Sequence, residues 1–552
     1  MKRTIALLLC LVMCIGLVAC APSNTEQTTT PTTQATTQAT TEAPTTTEPE
    51  ELAVDHFKGT KLTIAVSKPN TDTTGDWNTK EIFKLATEAT GIEIEWLILD
   101  ATVAQDKLAT FLMSDNPPDI FLGFSGSEAT FLNNPDAFYD LSEEGLLETY
   151  APNVVRDYDA YPDAWTSITY GDGSIRGLLT NSLYSDTKHS GLSATLAINQ
   201  AWLDKANLPV PSTADELYNT LKYFKEHDMD GDGDPNNEIP MTFMNGHAQG
   251  EIMLFAAAFG IAGNYTWQAK DHYKNIKDGK AVATMDTANY RAFLEFFHKL
   301  YSEGLLDIEG FSQSKDQFLA KRKTMTVGVF HTLGDFLDEG YTPFIYQGME
   351  GVTPMISGNS YRFYGQRNAF AISAESKNVE AALWWWNWLS KDTATKLIAW
   401  TGSEAHIKNA DGTFTANPEF AANGGLAAVS GMGNWGPLRT PDDYALIVKD
   451  LSTETEKSRV RREFLEQYVD TEHVNMEIFP TMFSSDFAAD EERGMIETEL
   501  FTYLASFTAE SISNGIDDAK WEQHLSDLKA YRYYDWLGLY QDLIDEAAAR
   551  AG

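Results

Sequence analysis

An α/β fold built on a parallel sheet is predicted by the rhythm of the segment between Lys61 and Phe124. Leu62, Ile64 and Val66 alternate with smaller or polar residues as in a half-buried strand. Asn78 followed by Glu81 resembles a helix capping box, and Ile82, Leu85, Ala86 and Ala89 form one apolar face that Gly91 ends. Ile92, Ile94, Trp96 and Ile98 then alternate again. A helix from Val103 to Met113 and a buried strand from Asp119 to Phe124 complete a β-α-β-α-β order. Helices cover a parallel sheet in that order, and ligands lie outside the carboxyl ends of its strands. Those ends fall in the loops Ser67–Trp77 and Gly123–Ser127.

The rest of the chain reads mainly as helix. Thr213 and Glu216 cap a helix bearing Leu217, Leu221 and Phe224. Asp286 opens a long one with Tyr290, Phe293, Leu294, Phe297 and Leu300, ended by Gly304. Helical pattern resumes at Asn378, with a Gly-rich interruption from Gly424 to Gly436. A chain of 552 residues exceeds the usual size of one compact domain, so two lobes are expected.

The N-terminus carries an address. Lys2 and Arg3 precede an apolar run from Ile5 to Val18, too short to span a bilayer but right for a signal-peptide core. Leu17-Val18-Ala19-Cys20 resembles the lipobox of bacterial lipoproteins, which implies removal of residues 1–19 and acylation of Cys20, palmitate among the chains attached. Two acyl chains anchor durably where one is marginal. From Asn24 to Glu51 the chain is mostly Thr, Pro, Gln, Ala and Glu, a composition that cannot bury enough surface to order itself. Residues 20–52 therefore read as a lipidated, extended linker, and the folded body begins near Leu52.

Composition narrows the function. All three cysteines, Cys10, Cys14 and Cys20, lie at this end, so the body has no disulfide and no thiol for nucleophilic or metal chemistry. A net charge of −39 argues against nucleic acid or an anionic membrane surface as partner. Abundant Trp and Tyr suit stacking on the apolar faces of sugar rings.

The sharpest chemical motif runs from Asp228 through Asp230, Asp232, Asp234 and Asn236 to Glu238. Oxygens at alternate positions around Gly231 and Gly233 suit a hard cation, and the opening matches an EF-hand loop, although Ile239 occupies the twelfth place. A structural Ca²⁺ at these six residues is expected, against the alternative of a solvated Asx-rich turn.

Several segments in order resemble the extracellular solute-binding lipoproteins of ABC importers, the large Gram-positive branch of the sugar-type binding proteins. They are Pro118-Asp119-Ile120, Tyr150-Ala151-Pro152-Asn153, Ala201-Trp202-Leu203-Asp204-Lys205 with Leu208–Thr213, and Leu300–Leu305 before Gly328. Gly402–His406 with Asp411-Gly412, Trp521 and Leu537–Gln541 continue the likeness, while Asn199-Gln200-Ala201 stands where that family often carries Arg-Lys-Asp. The resemblance implies a two-lobed periplasmic-binding-protein-like α/β fold with a hinge, a body outside the cell, and a monomer that delivers its ligand to permease subunits. It places residues 53–182 with 323–375 in lobe 1 and 183–322 with 376–552 in lobe 2, and it implies binding rather than catalysis.

Candidate ligand contacts are Asp76 and Trp77 after the first strand, Phe124 at the third strand's end, Trp267, Arg367, His406 and Trp435. Each has a plainer alternative: Trp77 as a cap on the next helix, Arg367 as a surface ion pair, His406 as a satisfied loop histidine. Trp384, Trp385, Trp386 and Trp388 point in different directions on one helix and read as core. An oligosaccharide is the expected ligand, an oligopeptide the alternative. A secreted glycoside hydrolase using paired carboxylates is the rival enzyme reading.

Overall fold

Leu62, Ile64 and Val66 face one side of the first strand, β1 (Lys61–Lys68), and Ala65 the other; both sides are buried. The computed structural model describes residues 52–551 except 69–71, 125–130, 132–133, 183–194, 246–250, 262–272, 333–335, 338, 357–363, 423–426, 449–454, 469–470 and 474–486. Cys20, the linker and Trp267 therefore lie outside the described residues. β1 runs parallel to β2 (Glu93–Asp100) and β3 (Ile120–Leu122), with Ile64 level with Trp96 and Ile120. The helix α1 (Glu81–Thr90) packs Ile82, Phe83 and Ala86 on the Leu62 face, and α2 (Ala101–Leu112) packs Ala104 and Leu108 on the Ala65 face. This is the predicted β-α-β-α-β order. α1 ends as expected at Gly91, in the left-handed conformation. Its start differs: Asp76, not Asn78, caps a short 3₁₀ turn at Trp77–Thr79, and α1 follows from Lys80 without a side-chain cap.

The first sheet is completed by later strands. With β4 (Leu178–Ser182), β5 (Thr195–Asn199), β6 (Ile239–Met241), β7 (Lys274–Lys277), β8 (Lys280–Ala283), β9 (Val327–Thr332), β10 (Tyr341–Phe344) and β11 (Tyr364–Ile372) defined, its order is β2-β1-β3-β11-β4. β11 is antiparallel to both neighbours, and its register against β4 shifts between Gln366 and Phe370. The second sheet has the order β10-β5-β9-β6. A hairpin pairs β7 with β8, and β12 (His406–Lys408), β13 (Phe414–Ala416) and β14 (Ile447–Val448) form a small third sheet.

Two large cores divide the chain. One gathers residues of the first sheet and α1 with the helix Val379–Leu389, whose Trp384, Trp385, Trp386 and Trp388 are all buried there. The other gathers β5, β6 and β9 with the helices Ala214–Glu226 and Ala288–Ser302 and the C-terminal helices from Phe487 onward. The caps match expectation at Thr213, whose hydroxyl accepts from Glu216 N, whereas Thr287 rather than Asp286 caps the long helix. The cores do not follow the expected lobe boundaries. β9 and β10 belong to the second sheet, and the helix Val379–Leu389, Ala399, Met432 and Leu438 pack on the first. The number of crossings is as expected, three, but two fall later: the chain passes between halves from β4 to β5, from β10 to β11, and again only after β14, where the helix Glu456–Glu466 packs Phe464 and Leu465 beside Ile345 and Ile356.

Candidate functional site

The antiparallel placement of β11 brings several strand ends to one edge. The carboxyl ends of β1, β3 and β4 and the first residues of β11 share that edge. In the second sheet the ends of β6, β9 and β10 and the start of β5 lie together, so that β4 continues to β5 and β10 to β11 between the two edges. These two edges, joined by shared connections, are where two halves of this topology can close on a ligand.

On the first edge a ring stands over a glycine. Gly123 has φ +80°, and a Cβ there would lie 2.8 Å from Cε2 of Trp435, so only glycine lets the indole approach. Gly123 N donates to Ala369 O at 2.6 Å, which fixes this turn to β11. Trp435 is half-buried, and its Nε1 has no partner. Thr180, which bridges to Pro437 just after Trp435, has a buried hydroxyl without a partner; on β11 the Asn368 Oδ1, near Gly177, is also buried without one, while Asn368 Nδ2 donates to Tyr170 OH. Asn181 and Asn368 both hold positive φ, at 77° and 55°. Left-handed backbone at non-glycine residues and buried polar atoms without partners each cost free energy, and such costs gather at binding sites.

The segment after Trp435 closes the edge. Arg439 is buried, donates to Asn181 Oδ1 at 3.0 Å and lies 3.3 Å from the centroid of the Trp400 ring. Asn181 N returns a hydrogen bond to Gly436 O at 3.1 Å. His406 is half-buried near Trp400; burial, with Arg439 adding repulsion, lowers its pKa and keeps the ring neutral. Its Nδ1 lies 3.2 Å from the Thr401 hydroxyl. Arg367 sits half-buried where the β11 register shifts.

Two expected contacts are core instead. Trp77 is fully buried, stacks on Phe83 at 5.7 Å and donates Nε1 to Asp72 Oδ2 at 2.9 Å. Phe124 is fully buried against Phe121. Both follow strands closely, and the chain turns their rings inward to complete the two faces of the sheet. Asp76 is exposed and accepts from Asn78 N at 2.9 Å, a capping role. Thr180, Asn181, Asn368, Trp400 and Arg439 were not legible as site residues, because strand register and the packing of a distant helix and loop bring them together.

The second edge contains a cavity of about 30 Å³ beside His331 and Tyr346, whose hydroxyl is buried without a partner. That volume holds a water or two, not a sugar ring.

The acidic loop is a separate centre on the second half. Oxygens of Asp228, Asp230 and Asp232 lie within 4.8 Å of one another. Asp228 accepts from Gly231 N and Gly233 N, Asp230 from Asp232 N, and Asp232 from Asp234 N. Asp234 is turned aside: its Oδ1 accepts both amide groups of Asn236, which lower its pKa. Glu238 closes the loop from a buried position, accepting from Met229 N at 2.6 Å through Oε1 and leaving Oε2 buried without a partner. An orphaned buried carboxylate oxygen beside clustered acids fits a hard cation.

Comparison with known proteins agrees with this architecture. Residues 72–396 match the family described as bacterial extracellular solute-binding protein. The fructooligosaccharide ABC transporter substrate-binding protein FusA of Streptococcus pneumoniae is 26% identical over 495 residues, covering 86% of this chain and 88% of FusA. The structure of FusA with kestose superposes with a TM-score of 0.74 at 23% identity, over 89% of this chain and 100% of that one. A FusA EF-hand mutant with fructo-nystose superposes equally well, at a TM-score of 0.74, 23% identity and the same 89% and 100% coverage. An HMO-binding solute-binding protein from Bifidobacterium longum infantis gives 0.73 at 22% identity, over 88% and 98%. These likenesses show a shared two-lobed fold.

Proposed function

The chain belongs to the bacterial extracellular solute-binding proteins, and from that premise we propose that it captures an oligosaccharide between its halves and delivers it to an ABC importer. The observation that carries the ligand class is the first-sheet edge, where Trp435 offers an aromatic surface among buried, unpartnered polar atoms of Thr180 and Asn368. An indole face suits the C–H face of a sugar, and isolated polar groups suit its hydroxyls. The kinship with a fructooligosaccharide binder over most of both chains favours the same reading. Arg367 and His406 remain proposed contacts on the same cleft, and Trp267 remains a proposed ligand contact on sequence grounds alone. Capture needs no turnover: binding shifts an open–closed equilibrium, and the closed form docks on the permease.

Lipid on Cys20 would hold this body at the outer face of the cell membrane, with the Thr-rich linker as spacer. No helix among the described residues is long and apolar enough to cross a membrane. Ca²⁺ at Asp228, Asp230, Asp232 and Glu238, with Asp234 and Asn236 shaping the loop, would act as a staple on the second half.

A thermal-shift and calorimetric screen of the purified chain against kestose, other fructooligosaccharides, milk oligosaccharides and short peptides tests the reading. Stoichiometric binding of a glycan that raises the melting temperature is expected, since a ligand of the folded state alone must stabilise it. Binding of peptides only, or accumulation of hydrolysis products, overturns it.

A further inference from the structure

Lys80 is an unusual residue to find without water. It lies between the 3₁₀ turn at Trp77–Thr79 and α1, and its side chain is 2% exposed. Its ammonium reaches Asp72 Oδ2 at 3.0 Å, Gly431 O at 2.6 Å and Val429 O at 2.9 Å. An ammonium has three N–H donors, and a carboxylate and two carbonyls use all of them. Asp72 is fixed in turn by the Trp77 indole and by Thr74 N. Burial lowers the Lys80 pKa more than Asp72 raises it.

The carbonyls that Lys80 holds begin the segment that carries Trp435. Gly431 packs so closely on the end of the helix Thr393–Thr401 that a Cβ would meet the Trp400 carbonyl carbon at 2.6 Å. Met432 N donates to Ala399 O at 2.6 Å, and Gly436 O accepts from Asn181 N. The Trp435 loop is thus gripped at one end by Lys80 and at the other by Asn181, with the indole between them over Gly123.

We propose that Lys80 is a positioning residue for ligand capture: its ammonium joins the loop after β1 to residues 429–431 and so holds the Trp435 indole at the binding edge. This rests on the reading that Trp435 faces the sugar. A neutral side chain cannot replace the clamp, because none supplies three donors from one atom. Lys80 touches no ligand itself; it acts through Trp435.

The test uses the full chain purified in detergent and two variants, Lys80→Met and Lys80→Met with Asp72→Asn. The pair removes both charges, so no carboxylate is stranded and the fold survives even where the single variant fails. Without ligand, amide exchange at 432–436 is expected to quicken at least tenfold in the pair while α1 amides keep their protection. Calorimetry with kestose is expected to show at least tenfold weaker binding, with no further loss when Trp435→Ala is added. Unchanged exchange at 432–436, or losses that simply add, overturns the positioning role. A wild-type chain that binds no glycan overturns the capture reading instead, and the exchange comparison then decides alone whether Lys80 holds the loop.

Discussion

Two regions of the molecule, the buried lysine sites of the first half and the loop 228–238 of the second, treat clustered acids in opposite ways. In the first, the chain supplies its own cation. Lys80 takes Asp72, and Lys396, 1% exposed on its side chain, takes Asp157 at 2.6 Å and Asp443 at 2.7 Å. Burial would raise the Asp443 carboxyl, but Lys396, the Thr393 hydroxyl and Thr440 N hold it below its ordinary value. In the second half, the loop 228–238 gathers acids with backbone amides and the side-chain amides of Asn236 and Asn237. Lys205 reaches that loop but donates to the carbonyls of Asp228 and Met229, and among the described residues no lysine or arginine pairs with Asp228, Asp230, Asp232 or Glu238. Acids set deep against helix ends are neutralised permanently from within. The acids of the loop 228–238 have no such lysine among the described residues, which is why we proposed a cation from solution there.

The largest break in that contrast is Lys396→Met, which strands two buried carboxylates. Urea unfolding should show a loss of about 3–5 kcal/mol, the usual cost of removing one partner of a buried pair. Equal midpoints for variant and wild type would mean that these acids are not held by the lysine. A buried histidine whose nearby acids, Asp527 and Asp286, do not offset its burial sharpens the contrast next. His524 is fully buried; its Nε2 donates to Met285 O and its Nδ1 accepts from Tyr503 OH, and burial takes its pKa down to about 4. The unfolded chain takes up that proton near the ordinary value of 6.5, so between 6.5 and about 4 it binds more protons than the folded one. Stability from this site is whole above that window and is lost as pH falls through it, by roughly 3 kcal/mol. Denaturant melts at pH 7 and 4.5 should converge when His524→Gln is compared with wild type.

The solution-cation side is tested by Glu238→Gln. Calcium at a hundred times its dissociation constant should stabilise the wild type by about 2.7 kcal/mol and the variant by much less. No change in melting temperature on chelation, with bound calcium verified absent afterwards, removes that half of the contrast. Smallest is Asp76→Ala, an exposed cap with no cation at all, expected to cost about 1 kcal/mol at any calcium level.

What the sequence made legible follows from periodicity. Alternation at Leu62–Val66, the apolar stripe from Ile82 to Ala89 and the Trp384–Trp388 cluster are local patterns, and each took its predicted place. The Asp-rich loop was legible for the same reason, being contiguous. The lobe boundaries were not. The third crossing comes only after β14, so the helix Val379–Leu389, Ala399, Met432 and Leu438 stay with the first core, and apolar helices carry no label for the sheet they cover. The binding edge was legible only as strand ends. Trp77 and Phe124 lie in the right loops yet turn inward, whereas Thr180, Asn368 and Arg439 come together through pairings that span more than a hundred residues. Lys80 had no signal at all, since a lysine beside a helix start ordinarily reads as solvent-exposed.

Gly123 gives this edge a genetic property as well as a shape. Its codon lies one nucleotide from those for alanine, valine and an acidic residue, and each of these would set a Cβ against the indole of Trp435. A duplicated gene could therefore change the outline of its ligand site in a single mutational step, at the margin of the first core where Trp435 packs. The cost falls on a turn already in left-handed backbone, so the same step would also loosen the join between β3 and β11 at Ala369. Divergence of ligand preference among copies of this chain would be fast to begin and slow to perfect.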